Sequence, residues 1–115
     1  MSVKLAIQLL RGNIAFRYIN DILYINTSDS ICYIYLASGE VLKSNQTLKH
    51  FSELMENNNN FLTFNRSLVI NLKHIKEYNN INQEFVLTGD IIISISRRGV
   101  SKFKEYINSM NYKIE

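Results

Sequence analysis

Apolar residues recur at every second position through most of this chain, the pattern of half-buried strands. "IAFRYI", "ILYIN" and "ICYIYLA" are three such runs in succession, and "NTSDS" supplies the polar turn between the second and third. "ASGE" marks a further turn and leads into "VLKS". The period then changes. In "TLKHFSELMENN", Leu48, Phe51, Leu54 and Met55 fall on one helical face, and Thr47 is placed to cap the helix start. The asparagine run Asn57 to Asn60 ends that helix. Strand-like spacing resumes in "FLTF", "SLVIN", "IKEY", "EFVLT" and "DIIISIS", with "TGD" as a tight hairpin turn. A second helix starts around Ser96, a good N-cap residue, and puts Val100, Phe103, Ile107 and Met110 on its buried side. Many short strands with one or two helices predict a mainly β, or β-rich α+β, domain.

Composition narrows the class without changing that picture. The 115 residues suit one domain, and 46% hydrophobic with 20% charged content is ordinary for a soluble globular chain. A single cysteine, Cys32, excludes an internal disulfide and a cysteine-based zinc site. It lies in an alternating run, so the expectation is a small buried thiol. No apolar stretch reaches the ~20 residues of a membrane span. The opening "MSVKLAIQLLRGN" has no small-residue cleavage pattern after its short apolar run, so residues 1–13 read as a lead-in strand or helix ahead of a domain over residues 14–115. A reducing, cytoplasmic setting without membrane insertion fits.

Charge and chemistry point away from an enzyme. His50 and His74 are not in HExxH spacing, no GxSxG elbow occurs, and the four glycines form neither GxxxxGK[ST] nor GxGxxG. Glu53 and Glu56 lie on a helix and read as solvated. No catalytic residue, cofactor or metal site is expected. The net charge of +3 is mildly basic, so the position of the cations matters more than their total. One basic cluster is "FNRSLVINLKH", with Asn65 and Arg66 at a strand junction. The other is "SRRGVSK", where Arg97 and Arg98 sit in the first turn of a helix. Cations there oppose the helix dipole at roughly 0.3–1 kcal/mol each. A polyanion beside them removes that cost: Ser96 and the first-turn amides take one phosphate oxygen, and the guanidinium forks reach a second phosphate or a guanine edge. Surface salt bridges to carboxylates elsewhere are the competing account. The seven Tyr and six Phe mostly alternate with Ile and Leu and belong to packing, leaving Tyr18, Tyr33, Tyr35 and Tyr78 as candidates for base stacking.

Four segments taken together resemble a known family. "DILYIN", "GEVLKSNQTLKHFSELM", "FLTFNRSLVINLKHIKEY" and "EFVLTGDIIISISRRGVSKFKEYI" are similar, in order and spacing, to the LytTR family of bacterial DNA-binding domains. The resemblance runs from about Ile14 to Ile107. Two departures stand out: Gly99 occupies a place where these domains often carry a bulky residue, and "NTSDS" lacks the basic or histidine residue some members have there.

The resemblance implies an elongated assembly of short antiparallel β-sheets with one or two small helices. It implies duplex DNA bound by loops in successive major grooves, with the site bent. By position it makes Arg66 and Arg98 the DNA-reaching residues, and places Asp29 and Ser30 in the loop after the second strand. Ser67 and Asn71 come out as structural, the first a buried hydroxyl bracing its loop and the second a cap on the turn "NLKHI". Lys43, Lys73 and Lys102 are expected to add phosphate contacts, which position a protein without reading sequence. The implied protein is a bacterial transcription regulator acting on paired direct repeats, with a homodimer on DNA, an upstream receiver domain of a two-component response regulator, or a membrane-bound regulatory partner as further possibilities. Two other classes stay open: a β-rich protein-interaction or ligand-sensing module whose basic loops grip an acidic partner, and an RNA binder.

Overall fold

A computed structural model describes residues 3–56 and 60–109, so Met110 and Asn57 to Asn59 of the sequence-based expectations lie outside the described residues. The chain divides into two compact units, Met1–His74 and Ile75–Glu115. In the first, β1 (Lys4–Gln8) and β2 (Ile14–Tyr18) pair as an antiparallel ribbon. A five-stranded antiparallel sheet is built from β3 (Ile22–Ser28), β4 (Ile31–Leu36), β5 (Val41–Ser44), β6 (Phe61–Asn65) and β7 (Leu68–Asn71), in the order β5-β4-β3-β7-β6. The helix α1 (Leu48–Leu54) follows β5. The protein is mainly β, and every strand read from the alternating runs is present.

Pairing register decides which residues face the core. Ile25 lies opposite Ile34 and Val69, and Ile34 opposite Leu42, so these four line one face of the sheet. That face packs on Leu48 and Phe51 of α1, on Met55 at its C-terminal cap, and on Leu5, Ile7 and Ala15 of the ribbon. Alpha helices of seven residues are not stable alone. The packing of α1 supplies what its length cannot, with Phe51 fully buried and Met55 nearly so. Leu54, expected on the same face, is exposed. At 3.6 residues per turn it points about 100° away from Met55, past the edge of the buried stripe.

The lead-in segment is a strand, and it braces α1. The Gln8 N–H donates to Gln46 Oε1 at 3.0 Å, and the Gln8 carbonyl accepts from the buried Ser44 hydroxyl at 2.6 Å. The same Ser44 oxygen accepts the Gln46 N–H at 3.1 Å. Thr47 caps α1 as expected, its hydroxyl accepting the His50 N–H at 3.0 Å.

The second unit holds β8 (Ile75–Asn79), β9 (Glu84–Leu87) and β10 (Ile91–Ser94), an antiparallel sheet in the order β10-β9-β8, followed by α2 (Arg97–Ser109). The "TGD" turn is present, with Gly89 and Asp90 both at positive φ. Three rings join α2 to the sheet: Phe103 meets Phe85 edge-on at 4.7 Å, and Tyr78 lies 5.5 Å from each. Val100 is buried, and Phe103 and Ile107 are half-buried.

Two positions make testable demands on the sequence. Asn71 is 1% exposed; its amide donates to the Ile22 carbonyl at 2.9 Å and its Oδ1 accepts the Lys73 N–H at 3.0 Å. Removing a side chain so connected strands buried backbone groups at about 1–3 kcal/mol. Asn71→Ala is therefore expected to lower unfolding free energy by about 2 kcal/mol in urea melts, with the slope unchanged. Asn71→Asp, which keeps the acceptor and sets a carboxylate against the Ile22 carbonyl, should lose at least as much. The β3–β4 turn is Asp29 and Ser30, at φ of 51° and 67°. Two positive φ values in a two-residue loop are the mark of the type I′ hairpin, which favours Asn-Gly. Ser30→Gly is expected to raise the thermal midpoint, worth roughly 0.5–1 kcal/mol after the extra freedom of glycine in the unfolded chain is counted. An unchanged or lower midpoint would contradict the strained turn.

Candidate nucleic-acid interface

At one end of the five-stranded sheet, two hairpin tips and the start of α1 surround a groove. The β6–β7 tip is Arg66 and Ser67, held in shape by an Asn65 side chain whose Oδ1 accepts the Ser67 N–H at 2.7 Å. A bulge beside it, between Thr63 and Asn65, shifts the register just before the tip. The tip is also tied to the central strand, because the Thr27 N–H donates to the Ser67 carbonyl at 2.9 Å. Ser67 itself is exposed, which corrects the expectation of a buried hydroxyl; its main chain does the bracing.

The groove has a volume of about 680 Å³, and Asn65, Arg66 and Ser30 line it together with Lys49 and Ser52 of α1. Thr27 and Cys32 line it as well, their side chains in contact at 3.3 Å. Burial pushes the Cys32 thiol up, against a smaller opposing effect of the Thr27 hydroxyl. A buried thiol so held is a packing element rather than a nucleophile. Asp29 and Ser30 are both exposed at the neighbouring tip.

The second unit presents the other arginines. Ser96 caps α2: its hydroxyl accepts the Gly99 N–H at 3.2 Å and its carbonyl accepts the Val100 N–H at 2.9 Å. Gly99 and Val100 are buried, so the first turn is seated on its inner side while Arg97 and Arg98 are exposed on the outer. Lys102, also exposed, lies one turn along from Arg98.

Among the described residues, Arg66, Arg97 and Arg98 take part in no ion pair. Carboxylates that do pair are used elsewhere. Glu40 forms a two-pronged bridge with Arg17 at 2.8 and 2.9 Å, which holds its carboxyl below the usual range, and Asp90 pairs with Lys76 at 2.8 Å. The salt-bridge account of the arginines is thus set aside.

Other expected residues are not gathered at these places. Lys43 lies opposite Tyr33 on the sheet face away from the groove, its ammonium 5.9 Å from that ring. Lys73 is exposed beyond the end of β7 remote from the Arg66 tip, with the four residues of that strand, about 13 Å of extended chain, between them. Of the stacking candidates, Tyr78 is committed to the ring cluster with Phe85 and Phe103, and Tyr35 is stacked on Tyr24 with centroids 4.2 Å apart. Burial, with help from Tyr35, pushes the Tyr24 phenol up to about 12. Tyr18 remains exposed, with Lys4 5.1 Å from its ring. Both histidines are structural: His74 Nε2 donates to the Asn20 carbonyl at 2.6 Å, and His50 bonds the Gln46 amide at 3.0 Å. No cluster of metal-binding side chains occurs among the described residues, and no helix there is long and apolar enough to cross a membrane.

Lys49 escaped the sequence reading. It carries the same signal that singled out Arg97 and Arg98, a cation in the first turn of a helix, but its surroundings became visible only when the fold set it beside Arg66.

Comparison with known proteins places this geometry. No curated protein matches the chain. Among solved structures, the LytTr DNA-binding domain of a Bacillus cereus protein described as a methyl-accepting/DNA response regulator shares the fold, with a TM-score of 0.73 and 18% identity over 90% of this chain and 95% of that one. The family model of the LytTr DNA-binding domain matches residues 12–108, which takes in both hairpin tips, α1 and the start of α2. The chain belongs to the LytTR family of DNA-binding domains.

Proposed function

We propose that this domain binds specific double-stranded DNA as part of a bacterial transcription regulator, reading bases through loops that enter successive major grooves. The observation that carries the reading is the state of three arginines. Arg66, Arg97 and Arg98 are exposed and without carboxylate partners among the described residues, each on a turn held rigid by its own main-chain and side-chain hydrogen bonds. Guanidinium forks on pre-shaped turns lose little freedom on meeting a guanine edge or a phosphate. Arg66 and Arg98 are the base readers in this account. Asn65, Ser30 and Asp29 flank the first of them, and Arg97, Lys102, Lys43 and Lys73 meet phosphates.

The helices support loop reading over a recognition helix. α1 spans seven residues, about 10 Å, with its apolar side buried, too short to lie along a groove. α2 is longer but carries exposed Glu105 one turn beyond Lys102, an unfavourable neighbour for phosphates. Paired direct repeats occupied by two copies, regulation by an upstream receiver domain or by a membrane-bound partner, and a cytoplasmic location complete the proposal.

Selection of random duplexes on the purified protein, followed by a salt series on the enriched site, tests it. Affinity should fall linearly in log–log form as salt rises. Arg98→Ala and Arg66→Ala should each cost about 1–3 kcal/mol and relax preference at one base position, a different one for each. Lys102→Ala should weaken all duplexes evenly. Failure to enrich any duplex, or arginine variants that bind like the parent, would defeat the assignment; enrichment of RNA or of an acidic protein instead would replace it.

A further inference from the structure

We infer that Lys49, at the start of α1, is a further DNA contact, an ammonium that grips a backbone phosphate at the wall of the groove shared with Arg66. The inference rests on the duplex-binding reading above and adds to it an element that neither arginine loop contains.

The groove juxtaposes two cations, Lys49 and Arg66, with Ser30, Asn65 and Ser52 among its polar lining. Neither cation is neutralised within the described residues. For Lys49 this is notable, because Glu53 stands one turn along α1, at the spacing where helix ion pairs form, and no pair is made. The order is the less favourable one, with the lysine N-terminal to the glutamate. Two like charges on one open groove repel each other, and a phosphate between or beside them relieves that repulsion.

The backbone under Lys49 is fixed. Its neighbours Leu48 and Phe51 are buried in the core, and the Thr47 hydroxyl closes the helix start on the His50 N–H. Gln46, which also lines the groove, is consumed at both ends of its amide by Gln8 and His50, so it holds the turn in place rather than reaching outward. The lysine therefore projects from a rigid base into a space the Arg66 tip already faces. Its chemistry selects the role. A compact, strongly hydrated ammonium on a flexible stem suits a phosphate and lacks the planar fork that reads a base edge.

The test compares the parent protein with Lys49→Gln and Lys49→Arg on two duplexes, the selected site and an unrelated sequence, across a salt series. Lys49→Gln should reduce the log–log salt slope by about 0.9, the value for one phosphate, and weaken both duplexes by a similar factor, about three- to ten-fold near 0.1 M salt. Base preference from the random-duplex selection should stay as in the parent, and Lys49→Arg should restore the slope. A slope unchanged in Lys49→Gln overturns the inference, as does a loss confined to the selected duplex. The two levels of the reading fail differently. A parent that binds no duplex defeats the DNA assignment and Lys49 with it; a parent that binds steeply beside an equally steep Lys49→Gln defeats Lys49 alone. Lys49 is exposed, so both variants should melt at the parent's temperature.

Discussion

A guanidinium at the tip of a hairpin is only as well placed as the strands beneath it are locked against slipping. Here the lock is the register of β3, the central strand of the five-stranded sheet. Ile25 has Ile34 on one side and Val69 on the other, and all three are essentially excluded from solvent. A one-residue slip would carry these side chains to the opposite face and bring Tyr24 and Asn26 into the core in their place. Because β3 pairs with both hairpins, the same register fixes two tips at once: Asp29 and Ser30 on one, Arg66 and Ser67 on the other. The Thr27 N–H to Ser67 carbonyl bond closes the ladder at the place where the loops begin.

Around this lock the polar groups are divided between those that hold shape and those left for a partner. Buried polar side chains are saturated where they matter for the turns: Asn71 bonds on both ends of its amide, and Ser44 both donates and accepts. Gln46, His50, Asn65 and Ser96 each bond a neighbouring backbone or side-chain group. The cations on the same turns are not spent in this way. Exposed charge of that kind contributes little to folding, so the stability of the turns does not depend on their arginines.

How far the sequence disclosed this follows from the range of each interaction. Strands declared themselves by period 2 and helix starts by Thr47 and Ser96, because alternation and capping act over a few residues. Leu54 went astray because a short amphipathic run does not say where the sheet beneath it ends. Ser67 was expected to brace its loop through a buried hydroxyl; it is exposed, and the bracing comes instead from a tertiary bond, Thr27 of another strand to its carbonyl. The bracing of α1 by Gln8 joins residues 38 positions apart. Spacing alone could not reveal it. For the candidate site, the arginines were legible because a cation at a helix start or strand junction is anomalous locally. Lys43 and Lys73 were not placed by the same logic, since a lysine on a strand or after one carries no mark of which face or end it will occupy.

The locations of those lysines bear on how affinity and specificity are divided. A phosphate contact can be made from many positions on a surface, because the backbone of DNA runs past all of it, whereas a base contact needs a donor fork at a defined depth and angle. Two turns held by side-chain hydrogen bonds, the Asx-braced β6–β7 tip and the Ser-capped start of α2, each carry arginine. The groove wall and the flanking strands carry lysine. The chemistry of the two side chains differs accordingly: a planar fork on a braced turn keeps its aim, whereas an ammonium on a long stem can find a charge without a fixed orientation. The aim of a side chain at a hairpin tip therefore depends on the sheet beneath it not slipping.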